Sequence, residues 1–485
     1  MTDSMETPGE GREAKAIGKQ FEKLANQWNE RHCDHESRKS LENIEKYSEE
    51  QLKIAFENQL TATADGTIRT PFGSGMGYLN LYSLTAFSQA VADIYPSSQG
   101  LIACNDWHML GSNKNIATVA GNVSHLCRYL DEPVPLPYLA YIVSIGDYKF
   151  GIYLNYIDER ECDISVVNEF GTKETVDVLR IVDYKTEARY GVRALDPNFV
   201  DDNRVKELPV RDAEFMRAVR AAVLPGSQQL VDCTNIEFVV MHFGRTSRVI
   251  ELCLKELGFV KGRHFTTYEC LAAKGSERQL FSPAFKLNVD SKVAPDTSRL
   301  IVGLSNDGCQ LFVYEKGSDG KWTLFTHEEL AHLLLWWANV RYKYHKAIRQ
   351  ARGQHRERPC HVYGLNEHST GFVANFCARE GLTLETHRNM ADMLFITEDV
   401  YQKRVTAVDP ADYESGAVEY YETPPDPMLI VIGTDGRFIC DPEYMPVWDG
   451  IGAALHVIYM AIYLNGIIRG TLRSHLDIIH KTCQQ

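Results

Sequence analysis

This sequence is poor in the features that announce a particular chemistry. Its 12 cysteines are scattered from Cys33 to Cys483 without one CxxC pair, which excludes a zinc-ribbon spacing and a secreted disulfide framework. There is no GxSxG, so no nucleophile elbow can be placed. The first residues, Met1 to Lys23, lack the apolar core of a signal peptide. The most apolar run, Ile451 to Leu464, contains His456 and falls short of the ~20 residues that a bilayer span takes. Cations are the minority charge, with 51 Lys and Arg against 65 Asp and Glu and a net charge of −14. That balance argues against broad, charge-driven attachment to nucleic acid or to anionic membrane. The expected compartment is the cytoplasm, with the nucleus as the other option, and no membrane association is expected.

What is present suits a large folded protein. A chain of 485 residues suggests about three domains. With 44% hydrophobic and 24% charged residues, it can bury a core without disulfides or a metal. A polar tail with a helix is expected over 1–40, then three α/β units over 41–222, 223–355 and 356–485. In the first unit, helical periodicity covers Leu79 to Ile94 and a buried strand Leu101 to Cys104. A helix follows from Asn115 to Leu130; Tyr138 to Leu154 reads as strand-rich, and Thr172 to Leu208 as a charged loop. The second unit offers a strand (Ile236 to Met241), a helix (Ser247 to Leu257), a β-hairpin (Arg299 to Lys316) and a long helix from Thr326. The third offers strands at His361 to Leu365 and Met428 to Ile432, with helices at Thr370 to Glu380 and Ile451 to Leu464. Alternating strands and helices imply α/β domains with parallel or mixed sheets.

Three local patterns invite a functional reading. His327-Glu328-Glu329-Leu330-Ala331-His332 is close to HExxH, but its second His lies five residues on, rotated by roughly 100° from the metal-binding face. Thr326 with Glu329 reads instead as a capping box at a helix start. The turn Gly73-Ser74-Gly75-Met76-Gly77 lacks the lysine of a phosphate-binding P-loop and reads as a tight turn. The basic run Arg341 to Arg358 reads as a solvated helix end. Asn122-Val123-Ser124 is a formal glycosylation sequon, inert without secretion.

Taken in order and spacing, the chain resembles the α-D-phosphohexomutase family, nearest its eukaryotic phosphoglucomutase/phosphopentomutase branch. The strongest stretch is Leu311-Phe312-Val313-Tyr314-Glu315-Lys316, Gly320-Lys321-Trp322, Phe325, Glu329-Leu330 and Trp336-Trp337. It is similar to the family's L-A-V-A-E-K, Gly/Trp turn, F-x-G-N-E-L and W-W. Ala64 to Arg69 stands where the family has F-G-T-A-G-L-R and keeps only its Arg69, and Val447-Trp448-Asp449-Gly450 stands at the K-D-G turn. The resemblance implies three tandem α/β domains with mixed sheets, the fourth domain absent from a chain that ends at Gln485.

The same resemblance implies a phosphoserine nucleophile, a Mg²⁺ held by three Asp and loops that grip the sugar. The family's T-A-S-H-N-P falls on Asn155-Tyr156-Ile157-Asp158-Glu159-Arg160, with Ile157 at the serine. D-P-D-A-D-R falls on Ser305-Asn306-Asp307-Gly308-Cys309-Gln310, where Asp307 alone remains. Ser144 and Ser165, nearby in sequence, fall outside the nucleophile loop on this register. The sugar-grip loop falls on Gly433-Thr434-Asp435-Gly436-Arg437, with Asp435 as its vestigial acid, and the substrate-discriminating stretch on Asn389 to Met393. The expectation is therefore a catalytically inactive scaffold or regulatory protein of this fold, with no catalytic residue, metal or cofactor. Protein partnership or self-association is expected through the side left open by the missing domain and the segment 467–485. The alternatives are an active phosphosugar mutase of carbohydrate metabolism and a non-catalytic phosphosugar sensor.

Overall fold

A computed structural model of the chain describes residues 60–483 apart from 64–65, 74–77, 80, 96–97, 124–125, 159, 176–203, 224–235, 243–246, 270–292, 352–359, 395–396, 399–427, 443–444 and 446. The polar tail, most of the glycine turn, the last residue of the sequon, the far end of the basic run and most of the charged 172–208 segment lie outside the described residues.

Three mixed sheets follow one another along the chain. In the first, β1 (Thr61–Ala62), β2 (Ile68–Pro71), β3 (Gln99–Cys104), β4 (Leu126–Leu130), β5 (Phe150–Tyr156), β6 (Glu161–Asn168) and β7 (Val205–Leu208) lie in the order β1-β2-β6-β5-β3-β4-β7. Beside the central β5, β3 pairs in parallel with both β4 and β5. Parallel pairs need crossovers, supplied by α2 (Leu110–Val123) and α3 (Leu136–Ile145); α1 (Leu81–Ile94) precedes β3. After α4 (Asp212–Val223) comes the second sheet, β12-β11-β10-β8-β9. It comprises β8 (Phe238–His242), β9 (Phe265–Glu269), β10 (Leu300–Leu304), β11 (Leu311–Lys316) and β12 (Trp322–Leu324), with α5 (Ser247–Glu256) joining β8 to β9. The long α6 (His327–Ala351) leads to the third sheet, β14-β13-β15-β16, built of β13 (His361–Leu365), β14 (Thr383–His387), β15 (Met428–Ile432) and β16 (Phe438–Ile439). Helix α7 (Phe372–Glu380) joins β13 to β14, and α8 (Gly450–Tyr463) and α9 (Leu472–Cys483) close the chain.

One grammar recurs in all three sheets. A strand paired in parallel on one side turns back through an antiparallel hairpin on the other: β5–β6, β10–β11 and β15–β16. The three hairpin loops are the segments aligned above with the nucleophile, metal and sugar loops.

Several local expectations need correction. Tyr138 to Ile145 is helix, not strand: Pro135 and Pro137 start it, and almost every side chain from Leu136 to Val143 is buried. An apolar run buried on all faces carries no periodicity to separate helix from strand. The helix expected to reach Leu130 stops at Val123, because Leu126–Leu130 pairs with both β3 and β7. Within the charged segment, Val205–Leu208 is that edge strand, and Thr383–His387 adds a strand to the third sheet that periodicity did not show.

Helix α8 is the central helix of the largest core cluster, with every residue from Gly450 to Ala461 buried. With the π-turn Leu464–Ile468 it forms a 19-residue apolar stretch, long enough by length and composition to cross a bilayer. In this fold it packs against α4, α6, β10 and β11.

Candidate functional site

The hairpin loops of the three sheets meet at one place. Asn306 Nδ2 donates to the Tyr156 carbonyl at 2.6 Å, tying the second sheet's loop to the first. Leu311 N–H donates to the Gly436 carbonyl at 2.9 Å, and Gln310 Nε2 to the Asp435 carbonyl at 2.9 Å, tying it to the third. The Asp307 carbonyl accepts from Leu136 N–H at the start of α3, and the Gly308 carbonyl from Gly450 N–H at the start of α8, both at 2.9 Å. Gly308 needs its φ of +76°, and a Cβ there would stand 2.7 Å from Pro135. Backbone bonds and two side-chain amides fix this junction, and Gly308 lets Pro135 come close.

Each loop uses its polar groups on itself. Between β5 and β6, the Asp158 carboxylate accepts from Arg160 N–H at 2.6 Å and Glu161 N–H at 3.2 Å, an Asx-type turn. Ile157, in this turn, brings only hydrocarbon. Behind it Asn105 holds the strand end, donating to Asn155 Oδ1 at 2.6 Å and accepting from Tyr156 N–H at 2.7 Å.

The loop aligned with the metal site is likewise closed. Asp307 Oδ1 accepts from Ser305 Oγ at 2.6 Å and from Cys309 N–H at 3.0 Å, while Ser305 Oγ accepts from Gln310 N–H at 2.9 Å. Burial, reinforced by Asp307, pushes the Cys309 thiol well above its ordinary pKa, so it stays protonated. Mg²⁺ asks for several hard, charged oxygens in near-octahedral array. One carboxylate occupied in its own turn, a hydroxyl, an amide and a protonated thiol do not fit that ion.

The loop between β15 and β16 is a two-residue turn. Arg437 N–H donates to the Thr434 carbonyl at 2.9 Å, with positive φ at Asp435 (50°) and Gly436 (77°). That is the type I′ geometry for which Asp-Gly is suited. The turn sends Asp435 outward into solvent and Arg437 inward.

Arg437 reaches a cavity of about 250 Å³ where the loops converge. Its cations are Arg69, Lys173 and Arg437; its acids are Asp163 and Asp307. Arg69 Nε lies 3.7 Å from Asp163 Oδ1, and the buried Lys173 donates to Thr67 Oγ1. The Arg437 guanidinium takes no hydrogen-bond or ion-pair partner among the described residues. Trp448, 2% exposed, also lines the cavity, and its indole N–H is buried without a partner.

Of the residues singled out from sequence, Arg69 and Asp307 stand in the cavity wall, while Ile157, Asp158 and Asp435 do not. Met390, from the substrate-discriminating stretch, lines it too and accepts weakly from Thr434 Oγ1 at 3.4 Å. Ser165, off the nucleophile register, nonetheless lines the cavity from within β6, opposite Tyr153. Lys173 and Arg437 escaped the sequence reading: one lies at the edge of a segment read as loop, the other beside the acid that drew attention. The capping box at α6 is present as expected, with Thr326 N–H donating to Glu329 Oε2 at 2.8 Å and Glu329 N–H to Thr326 Oγ1 at 3.1 Å.

No protein-family model matches the chain, and no curated protein matches it. Solved structures do. A protein of Thermus thermophilus assigned as a phosphomannomutase superposes with a TM-score of 0.58 at 12% identity, over 88% of this chain and 84% of that one. A phosphoglucomutase/phosphomannomutase family protein of Burkholderia thailandensis gives 0.54 at 10% identity, over 85% and 78%. Likeness at such identities is likeness of fold, and the fold is the α/β phosphohexomutase architecture that the resemblance implied.

Proposed function

We propose that this chain is a phosphohexomutase-fold protein that does not interconvert phosphosugars, and acts instead as a regulatory or scaffolding protein. One observation carries the reading: the turn aligned with the phosphoryl-carrying serine presents Ile157, a hydrocarbon, and uses its neighbour Asp158 to close itself. Without a hydroxyl at that loop tip no phosphoester can form there, and positioning alone does not replace the nucleophile. The closed turn around Asp307 supports the same reading.

A second reading refines the first. Arg437 and the Trp448 N–H, both at the cavity and both without a partner among the described residues, favour a cleft that holds a small anionic ligand without turning it over. A buried donor lacking an acceptor, as at Trp448, is costly, and an anion rich in oxygen acceptors would satisfy it while pairing with the half-buried Arg437 guanidinium.

The test is an assay with glucose 1-phosphate and, separately, ribose 1-phosphate, with Mg²⁺ and the matching bisphosphate. No isomerised product is expected. Product that tracks with the purified protein and disappears in Asp307→Ala or Ser165→Ala would overturn the proposal.

A further inference from the structure

The first residue of α6, read from sequence only as part of a helix start, makes three contacts that a helix start does not require. The His327 ring stacks on Phe438, centroids 4.9 Å apart and planes at 17°. Its Nε2 lies 2.9 Å from the Gly433 carbonyl, and its Nδ1 accepts from Gly436 N–H at 3.0 Å. A carbonyl can only accept and an amide N–H can only donate, so one state satisfies both: the neutral ring protonated at Nε2. Burial, helped by nearby His368, holds His327 down at about 4, which keeps that state at neutral pH.

These contacts grip a turn that is otherwise held from the side of the second sheet and by its own hairpin bonds. Asp435 is one of two non-glycine residues with positive φ among the described residues. From one side, the start of β11 binds the turn through Leu311 N–H, and the loop before it through the Gln310 amide. From the other, His327 bridges Gly433 and Gly436, the residues flanking the Thr434-Asp435 corner. Arg437 follows directly, and it lines the cavity with no hydrogen-bond or ion-pair partner for its guanidinium among the described residues. Where the turn sits therefore decides where the cation sits.

We infer that His327 is a positioning residue: its imidazole clamps the 433–437 turn and thereby sets Arg437 to receive an anion in the cavity. The inference rests on the reading that the cleft holds an anionic ligand. It concerns a device of this chain, since the family's F-x-G-N-E-L pattern has glycine at this place.

The experiment compares His327→Ala with His327→Gln, because a carboxamide carries a donor and an acceptor on one planar group as the neutral ring does. Two readouts are taken: amide hydrogen exchange of the peptide containing Gly436 and Arg437, and glucose 1-phosphate binding by calorimetry. In His327→Ala, exchange is expected to accelerate about tenfold and binding to weaken about tenfold, the scale of one lost net hydrogen bond. His327→Gln should lie within about threefold of wild type in both. Wild-type exchange in His327→Ala, or equal damage in Ala and Gln, would overturn the clamp. Arg437→Ala separates the two claims: if wild type and this variant fail alike to bind the probe, the ligand reading falls, and the exchange result decides the clamp on its own.

Discussion

Two arginines, 341 and 437, show how differently this fold treats its charges. Arg341 sits within the framework between α6, α8 and the end of α4. Its guanidinium donates to Asp441 Oδ1 at 2.9 Å and to the Ala222 carbonyl, and Nη1 lies 3.0 Å from His456 Nε2. Asp441 in turn meets His456 through its other oxygen at 2.5 Å. Burial alone would raise the Asp441 pKa, but Arg341 and His456 prevail and hold it at about 2. Arg437, at the cavity, has no such company among the described residues. Buried polar groups are ordinarily paired, and neither region obeys the rule in full: Arg341 Nε is left over in the framework, as the Trp448 indole N–H is at the cavity. The difference lies in the surroundings: the other two nitrogens of Arg341 are taken up by Asp441, His456 and the Ala222 carbonyl, whereas Arg437 and Trp448 line an open cavity, which makes the cleft the candidate binding site.

The sharpest way to break the comparison is to treat both arginines alike. Arg341→Met leaves Asp441 buried without its main counter-charge, and unfolding in urea should show a loss of about 3–5 kcal/mol. A loss under about 1 kcal/mol would mean that the network is slack and the contrast with Arg437 false. The pH dependence follows from Asp441. Its folded pKa lies below the unfolded value near 3.8, so its contribution is present above that value and fades as pH falls from there towards 2. Arg341→Met should flatten that acid limb.

A smaller effect is expected where histidines, not arginines, join the last helix to the body. His332 on α6 is 4% exposed, packs 4.0 Å from the Phe372 ring on α7, and its Nδ1 lies 2.8 Å from His480 Nε2 on α9. Burial and His480 lower its pKa to about 3, while Glu328, 3.8 Å away, is itself exposed. A histidine lowered on folding makes the unfolded state the better proton binder below about 6.5. Its stabilisation is thus whole above that pH and lost progressively down to about 3. His332→Phe should remove up to about 2 kcal/mol of the wild-type loss between pH 6.5 and 5, at about 1.4 kcal/mol per unit. The difference between the two proteins is the readout, because Asp449, raised by burial to about 7, slopes the other way over this range. Parallel curves for wild type and variant would discard His332 as the source.

How much of this was legible depended on whether the signal was local. The Thr326–Glu329 capping box and the β10–β11 hairpin are written within a few residues, and the structure holds both. Tyr138 to Ile145 reads as strand from sequence because burial on all faces erases the period that separates helix from strand. The cavity was legible only in part, since its wall is assembled across sheets. That Ser165 faces it depends on pairing with Tyr153, and that Arg437 enters it depends on a turn whose hand sends Asp435 the other way. His327 is the clearest case: its place at a helix start was readable, but its partners lie more than a hundred residues away.

The smallest expected effect is a null, and it bears most directly on the comparison. If Arg437 is held open for a ligand, the folded protein without ligand gains little from it. Arg437→Met should change urea stability by no more than about 0.5 kcal/mol, the range of ordinary surface substitutions, against the large loss in Arg341→Met. Its cost should appear only with an anion present. A ligand that binds the native state alone raises stability by an amount set by its concentration relative to Kd, so glucose 1-phosphate should lift the melting temperature of wild type and not of Arg437→Met. Lys149→Met serves as the control, because this lysine pairs with Glu169 on an exposed face and lines no part of the cavity. Destabilisation of Arg437→Met comparable to that of Arg341→Met would show that Arg437 belongs to the framework after all, and the distinction between the two regions would collapse.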